Sequence, residues 1–251
     1  MLLEGKNAVI YGAGGSIGAA VAQAFAREGA TVHLAGRTAS KLQTVAEAIR
    51  AAGGVAHIAQ LDALDEQALD EHADAVVEQA GSLDISFNLI SHGYVQGTPM
   101  VEMQLEDYLG PVTCAVQSTF LSWRAASRHM VKQGSGVILC FGGEGHPVRG
   151  KHFGALQVAL HAVESMRRQL AVELGAHGVR VLTLRTGGVP ESLPEGFAGR
   201  AAIAASIDDA TLLGRAATLE DVGRVAAFVA SDQARTMTAT TVNLSAGALI
   251  D

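Results

Sequence analysis

Cysteine, aromatic residues and positive charge are scarce in this sequence. Its 251 residues include two cysteines, Cys114 and Cys140, both in apolar segments, so the sequence predicts no disulfide framework. Aromatic residues make up 4% of the chain, which favours helices packed closely on a sheet over an aromatic-rich β-sandwich. Lys and Arg number 18 against 25 Asp and Glu and form no basic cluster. We therefore expect no nucleic acid and no anionic membrane surface as a partner.

Long apolar runs are missing as well. No run approaches the roughly 18 apolar residues that span a bilayer. The first residues lead directly into an apolar strand and do not have the pattern of a signal peptide. We expect a cytoplasmic protein that does not bind membranes.

Glycine and aliphatic residues, by contrast, are abundant. Hydrophobic residues make up 49% of the chain and charged residues 17%, so the chain can bury a large core and is not disordered. The 29 glycines follow no fixed period, which excludes collagen and indicates tight turns. No Pro- or Ser-rich linker divides the chain, and residues 1–251 are predicted to form one domain.

Short apolar segments alternate with segments of helical period along the whole chain. Strands are predicted at 7–11, 31–35, 55–61, 83–90, 137–141, 179–184 and 241–244. Helices are predicted at 16–28, 40–52, 66–80, 106–132, 154–175 and 219–230, with a shorter one at 198–206. This alternation is typical of βαβ units. The predicted fold class is α/β: a single-domain, doubly wound parallel sheet, or Rossmann fold, with helices on both faces.

A glycine-rich turn joins the first strand to the first helix. Gly12 would permit the tight turn, and Gly18 would permit close packing of the helix. The glycines between them would let the backbone approach a pyrophosphate at the helix N-terminus. A turn without a ligand is the alternative, but the position between a strand and a helix favours a dinucleotide. The residues predicted to bind it here are Gly12, Gly14, Gly15, Ser16, Ile17 and Gly18.

The residue after the second strand predicts which cofactor is bound. An acidic residue there would bind the ribose 2′-hydroxyl of NAD, whereas an arginine would pair with the 2′-phosphate of NADP. The sequence has Arg37 and Thr38 at this point and no acidic residue nearby. The planar guanidinium of an arginine suits a phosphate. A surface arginine that merely starts a helix is the alternative, and we predict NADP(H).

The chain resembles the short-chain dehydrogenase/reductase family over almost its whole length. The family's Gly-x-x-x-Gly-x-Gly turn falls on Gly12, Ser16 and Gly18, and its adenine-contacting Asp falls on Asp62. Residues 211–232 resemble the family's C-terminal helix segment. The resemblance implies an oxidoreductase with a nicotinamide cofactor and a small-molecule substrate. It also implies a homotetramer or homodimer, formed through the fourth and fifth helices and the last strand.

The residues that transfer the proton in this family are missing from the matching positions. The family uses Asn, Ser, Tyr and Lys, of which the Tyr is the acid or base and the Lys lowers its pKa. The Tyr-x-Ala-Ser-Lys segment aligns with residues 153–157, which begin with Phe153 and end with Gln157. No tyrosine of the chain is followed by a lysine four residues later. The Ser position is Gly142 or Gly143, and the helix Asn position is Ala115, so the sequence predicts an atypical member.

Three further positions of the family's cofactor site have usable residues. The first Asn of the segment after the fourth strand is kept as Asn88, and the Pro-Gly after the sixth strand becomes Thr186-Gly187. Gln157 can hydrogen-bond ribose hydroxyls as a neutral amide. Asn88, Gln157 and Gly187 are therefore added to the predicted cofactor-binding residues.

Side chains in neighbouring loops are the candidates to replace the missing acid. Ligands of open α/β sheets bind at the carboxyl ends of the strands. The loops at this edge contain His152, His146 and Tyr94, and histidine titrates near neutral pH. We predict His152 or His146 as the acid, then Tyr94, with Phe153 as an apolar wall. Solvated loop side chains are the alternative, and no spacing such as His-Glu-x-x-His predicts a metal.

Three functions are compatible with these patterns. The first is an NADP(H)-dependent oxidoreductase with a non-standard active site, acting on an unidentified small carbonyl, alcohol or enone. The second is a non-catalytic NADP(H)-binding sensor or partner protein, and the third is a non-redox enzyme that uses the same pocket. A substrate lid predicted at about 188–212, with the apolar residues Leu193, Phe197 and Ile203, favours an enzyme.

Overall fold

A computed structural model describes residues 1–142 and 152–250. The strands are β1 Asn7–Tyr11, β2 Thr31–Gly36, β3 Val55–Gln60, β4 Ile85–Asn88, β5 Gly136–Phe141, β6 Val179–Arg185 and β7 Thr240–Asn243. The helices are α1 Ser16–Arg27, α2 Ala39–Ala51, α3 Glu66–Ala80, α4 Leu105–Gln133, α5 Leu156–Leu174, α6 Arg200–Asp209 and α7 Leu219–Ala230. The strands pair in parallel in the order β3-β2-β1-β4-β5-β6-β7. The predicted single-domain Rossmann fold is confirmed.

Two apolar cores cover the two faces of the sheet. Successive side chains of a strand point to opposite faces. In β1, Ala8 and Ile10 belong to the core shared with α1, α2 and α7, whereas Val9 and Tyr11 belong to the core shared with α3, α4 and α5. Both faces are therefore buried, which is why the strands are nearly continuous apolar runs.

Two elements, β4 and α5, are shorter than their predicted ranges by three residues or more. The strand predicted at 83–90 is reduced to β4, because the backbone N–H and C=O of Leu83 bond to the side chain of Gln133 instead of a strand. At its other end the side chain of Asn88 accepts the N–H of Ile90. The helix predicted at 154–175 begins at Leu156, because Gly154 has a left-handed φ of 52°.

The strand order reverses direction between β1 and β4. From β1 the chain builds outward to β2 and β3, then crosses back to place β4 on the other side of β1. At such a switch point the loops after the two strands separate and leave a crevice at their carboxyl ends. The crevice lies where the glycine-rich turn follows β1 and residues 89–99 follow β4.

A buried polar group, here called the Glu164 cluster, joins α5 to the last strands. Glu164 is 1% exposed and Arg167 is 3% exposed. Arg167 donates to one carboxylate oxygen of Glu164 through Nε and Nη2, both at 3.0 Å. The hydroxyl of Thr183 on β6 donates to the other oxygen, and that of Thr241 on β7 lies 3.4 Å from the first.

The Sγ of Cys140 lies 2.9 Å from Thr183 Oγ1, and burial raises the pKa of this thiol to about 12, as expected for an inert cysteine.

No helix within the described ranges is long and apolar enough to cross a membrane.

Candidate active site

The glycine-rich turn has the shape predicted for it. Gly12 has a left-handed φ of 78°, and a Cβ there would lie 2.5 Å from the carbonyl oxygen of Leu89. The N–H of Gly12 donates to Ala35 O of β2 at 2.9 Å, and that of Gly15 donates to Gly12 O at 3.1 Å. Helix α1 then begins without a side-chain cap. Its first amides, from Ser16 onward, have no acceptor within the helix and can bind a phosphate.

Gly18 allows α1 to pack directly on this turn. A Cβ at Gly18 would overlap the carbonyl oxygen of Gly12 and lie 2.8 Å from the Cα of Ala13. Both neighbours are backbone atoms and cannot rotate away, so the contact requires glycine. The sequence predicted this close packing, and the structure locates it on the turn itself.

A Gly18→Val variant is expected to lower the free energy of unfolding by about 1–3 kcal/mol, because the overlap forces α1 away from the turn. Dinucleotide affinity should fall at least about tenfold with it, since the first amides of α1 move. Urea unfolding and a cofactor titration measure the two effects. The control is Gly110→Ala in α4, where an added Cβ meets nothing within 4 Å. Unchanged stability and affinity in Gly18→Val would contradict the packing described above.

Arg37 and Asp62 lie at one corner of the crevice. Arg37 and Thr38 are exposed directly after β2, and Asp62 is exposed after β3. Gln60 Nε2 donates to the carbonyl oxygen of Arg37 at 3.1 Å, which joins the ends of the two strands. On α4, burial raises the pKa of the Cys114 thiol, while Arg37 lowers it and Asp62 raises it further. The ends of β2, β3 and the first half of α4 therefore converge on this corner.

The side chain of Asn88 is turned away from the crevice. Asn88 is buried, and its Nδ2 lies 3.4 Å from Thr119 Oγ1 and 3.3 Å from Ser122 Oγ, both on α4. Its Oδ1 accepts the N–H of Ile90 at 3.0 Å. The amide thus fixes β4 to α4 and starts the loop that follows. A cofactor contact by Asn88 stays a prediction, and its side chain already has these partners.

An aromatic pair lies where the resemblance places the catalytic tyrosine. Phe153 meets Tyr94 of the loop after β4 edge to face, with ring centroids 6.5 Å apart and planes at 80°. The carbonyl oxygen of His152 accepts the N–H of Gly97 at 3.1 Å, which ties the same loop to the segment before α5. A Cβ on Gly154 would lie 2.7 Å from Cε of Met103, so this wall is closely packed. Two predicted acids, His152 and Tyr94, are therefore brought to one place.

His152 has an unusual backbone conformation. Its φ is 46°, one of three positive values among non-glycine residues in the described chain, and its side chain is exposed. Such conformations cost about 1–3 kcal/mol and occur often at functional sites. His146, the other histidine predicted as the acid, and Gly143 lie outside the described residues.

The remaining positions matched to the family's proton-transfer residues have no ionisable group. Ala115 is fully buried in α4. Gly142, directly after β5, has a φ of 131°, and a Cβ there would lie 2.6 Å from Cδ2 of Leu160. Gln157 is half-buried in the first turn of α5. Its predicted contact with ribose stays a prediction.

The predicted lid segment follows β6 and contacts the start of α7. Gly188 has a φ of 130°, and a Cβ there would lie 2.9 Å from Cδ1 of Ile207 on α6. Glu191 Oε2 accepts the N–H of Leu219, the first residue of α7, at 2.7 Å. Gly187 is exposed beside the loop after β7. Helix α6 buries none of its residues. A lid role for residues 188–212 and a cofactor contact at Gly187 stay predictions.

Two residues near the site, Met103 and Cys114, gave no recognisable signal in the sequence, whereas His92 belongs to a loop that the sequence places at this edge. Met103 packs against Gly154, and Cys114 lies within electrostatic range of Arg37. Burial lowers the pKa of His92, which lies on the loop after β4. Met103 and Cys114 come into the site through packing between distant segments. In the described chain, no three His, Cys, Asp or Glu side chains are grouped to hold a metal ion.

Comparisons with known proteins agree on one family. The family model described as Enoyl-(Acyl carrier protein) reductase matches residues 12–248. An uncharacterized oxidoreductase of Methylorubrum extorquens is 34% identical over 251 residues, which cover 98% of each chain. A D-threitol dehydrogenase of Mycolicibacterium smegmatis is 29% identical and covers 92% of this chain and 88% of its own. A short-chain type dehydrogenase/reductase from Mycobacterium marinum superposes with a TM-score of 0.87 at 27% identity, covering 99% and 97% of the two chains.

The family match covers the glycine-rich turn, the crevice and the lid segment in one continuous alignment. The relatives named oxidoreductase or dehydrogenase cover nearly the whole chain, and the solved relative has the same fold. On these grounds the chain belongs to the short-chain dehydrogenase/reductase family.

Proposed function

We propose that this protein is a cytoplasmic NADP(H)-dependent oxidoreductase whose active site departs from that of its family. Its substrate would be a small carbonyl, alcohol or enone. The observation that carries the choice of cofactor is the exposed Arg37 at the end of β2, in the same corner as Asp62. No acidic residue follows β2 to bind a ribose 2′-hydroxyl.

The turn after β1 fits the pyrophosphate of such a cofactor. Side chains at positions 12 and 18 would fill the space beside the turn. Because both residues are glycine, no side chain covers the backbone there. The first amides of α1 would hold the pyrophosphate, Arg37 the 2′-phosphate and Gln157 a ribose hydroxyl. Bound NADPH would supply the hydride.

The chain's own residues would position the acceptor and return a proton. Phe153 and Tyr94 would form an apolar wall beside the reacting carbon. His152, or His146, would donate the proton to the substrate oxygen, with Tyr94 as the next candidate. This assignment follows from the sequence, in which Tyr94 comes after β4 and both histidines come after β5.

An Arg37→Ala variant is expected to bind NADPH about 10–100-fold more weakly, because charge-assisted hydrogen bonds contribute roughly 1.5–3 kcal/mol. Its affinity for NADH should stay within about twofold. Titrations with both cofactors, followed by nicotinamide fluorescence, measure the difference. Arg235→Ala, which removes another exposed arginine, is the matched control. Equal NADPH and NADH affinities in the wild type would contradict the proposed preference.

A second function is favoured by one specific observation. Phe153 has no proton to give and Gln157 has no charge, so the start of α5 cannot perform the family's proton transfer. A protein that binds NADP(H) as a sensor or partner would need neither. The two functions are separated on one preparation, by titrating NADPH and then screening turnover over carbonyl and enone substrates. Binding without any turnover favours the sensor.

We also propose that the chain forms a homodimer or homotetramer through α4 and α5. These helices expose Phe120, Val158 and Val172, which are 53%, 43% and 78% exposed. Exposed apolar side chains on neighbouring helices are typical of a surface that another copy covers. Light scattering should give twice or four times the chain mass of 25.8 kDa. A monomer at micromolar concentration would contradict this assembly.

A further inference from the structure

A group of aromatic and titratable side chains lies beneath α3, away from the crevice. His33 on β2 is 4% exposed and stacks on His57, its direct neighbour on β3, with ring centroids 5.1 Å apart. His72 on α3 meets Tyr11 of β1 edge to face, with centroids 6.2 Å apart. We call Tyr11, His33, His57 and His72 the histidine cluster.

Polar atoms of this cluster are buried without hydrogen bonds. Tyr11 Oη, His33 Nε2 and His72 Nδ1 have no partner within the described part of the chain. A buried polar atom without a partner costs free energy in the closed state, and a charge at the same place costs far more. His33 and His72 are therefore more stable in their neutral forms while the protein is closed, whereas His57 is exposed.

The charged groups that face the cluster are already paired. Burial raises the pKa of the Tyr11 phenol, and the negative charge of Asp70 on α3 raises it further. Asp70 Oδ2 accepts Arg124 at 2.6 Å and Arg128 at 2.9 Å, both from α4. This carboxylate is thus paired with two arginines through Oδ2, while its Oδ1 is buried without a hydrogen-bond partner in the described part of the chain. A proton on His33 would instead meet His57 and His72, whose charges oppose it.

The sign of the pH effect follows from the direction of the two shifts. Burial, with His57 and His72 adding to it, lowers the pKa of His33 to about 4, and burial lowers that of His72 to about 4. In an opened form both would return towards the ordinary value of about 6.5. Above about pH 6.5 neither form gains a proton. As the pH falls from there towards 4, the opened form binds more protons and becomes more populated.

β3, which carries His57, lies at one edge of the sheet. Within the described residues it pairs with β2 alone, and its Val55 and Ile58 are 51% and 41% exposed. Gln60 at its end is bonded to the backbone of Arg37, and Asp62 follows it. Release of β3 therefore alters the corner that Arg37 and Asp62 form.

We propose that the histidine cluster is an acid-sensitive latch: protonation of His33 and His72 releases β3 and α3 from β2 and opens the adenosine end of the nucleotide site. The opening itself depends only on the cluster. Its effect on nucleotide affinity rests on the proposed NADP(H) binding.

Hydrogen exchange of the full chain between about pH 7.5 and 5, corrected for intrinsic exchange rates, tests the opening. Peptides from β3 and α3 should lose protection about tenfold or more per pH unit below about 6.5, while those from β5 and β6 keep theirs. A His33→Val, His72→Leu double variant should remove this slope. His177→Gln, which changes an exposed histidine far from the cluster, should keep it.

Titrations with NADP⁺, which is stable in acid, test the link to the nucleotide site. The 2′-phosphate itself gains a proton near pH 6, so wild type and double variant are compared at the same pH. At about pH 5.5 the double variant should bind NADP⁺ more tightly than the wild type by the factor 1 + K, where K is the opening constant that hydrogen exchange gives for the wild type at that pH.

Three results would overturn the latch. The first is an equal pH slope of exchange in the wild type and the double variant. The second is a loss of protection in acid that begins in the wild type outside β3 and α3. This result would overturn the latch even if the double variant did not fold. The third is an equal loss of NADP⁺ affinity in both proteins. A wild type that binds no NADP⁺ at pH 7.5 contradicts the proposed function. The hydrogen-exchange results alone then decide whether the histidine cluster opens in acid.

Discussion

A His152→Ala variant is expected to turn over substrate about 100–10,000-fold more slowly than the wild type, the range typical of a lost general acid. His152 is exposed directly before Phe153, and Gly97 binds its carbonyl oxygen. Its positive φ indicates a backbone constrained by its surroundings. The loss should appear in kcat, measured at steady state.

A second variant at residue 152 distinguishes the loss of the acidic proton from a change in backbone conformation. Asparagine adopts positive φ readily and carries no titrating proton, so His152→Asn should keep the fold and lose the activity. His146→Ala and Tyr94→Phe are measured beside it. If all three positions tolerate substitution singly, none of them is the acid. If His146 alone is essential, the proton comes from that residue.

Glu164→Ala is expected to lower the free energy of unfolding by about 3–5 kcal/mol. The change leaves the guanidinium of Arg167, which is 3% exposed, without its carboxylate. The hydroxyls of Thr183 and Thr241 lose their acceptor at the same time. For a chain of this size the melting temperature should fall by roughly 6–20 °C.

Two further variants test this explanation. Glu173→Ala removes an exposed glutamate from the same helix, whose partner is Gln169, and should change stability by less than about 0.5 kcal/mol. A Glu164→Ala, Arg167→Met double variant removes both charges and should recover part of the loss. Urea unfolding measures all three. A Glu164→Ala protein within about 1 kcal/mol of the wild type would refute a buried charge pair.

The fold could be predicted well because the period of the apolar residues in each short segment identifies that segment as strand or helix. The alternation of strand and helix periods gave the order of the elements, and the bounds of β1, α3 and α7 agree with the predicted ranges. Errors occurred where a distant contact decides the boundary. Leu83 leaves the strand because Gln133, fifty residues later, binds its backbone.

The site was predictable only in part. The turn after β1 is one continuous segment, so its role could be inferred from spacing alone. The direction of the Asn88 side chain depends on Thr119 and Ser122, which no local pattern connects to it. The same holds for Glu164 and Arg167: charged residues in a helix usually indicate a solvated face, yet the sheet buries both.

The exposed strand β3 also bears on how this protein behaves at high concentration. Its sequence, residues 55–60, contains no lysine, proline or carboxylate, and on its outer side no strand of the described residues pairs with it. Natural proteins usually block such an edge against strand pairing with another molecule. β3 itself carries none of these residues, although the guanidinium of Arg50 binds the carbonyl oxygen of Ala56 on it, so crowding favours edge-to-edge pairing along the rest of the strand. Lysine in place of the exposed Ile58 would give a more soluble protein for crystallisation.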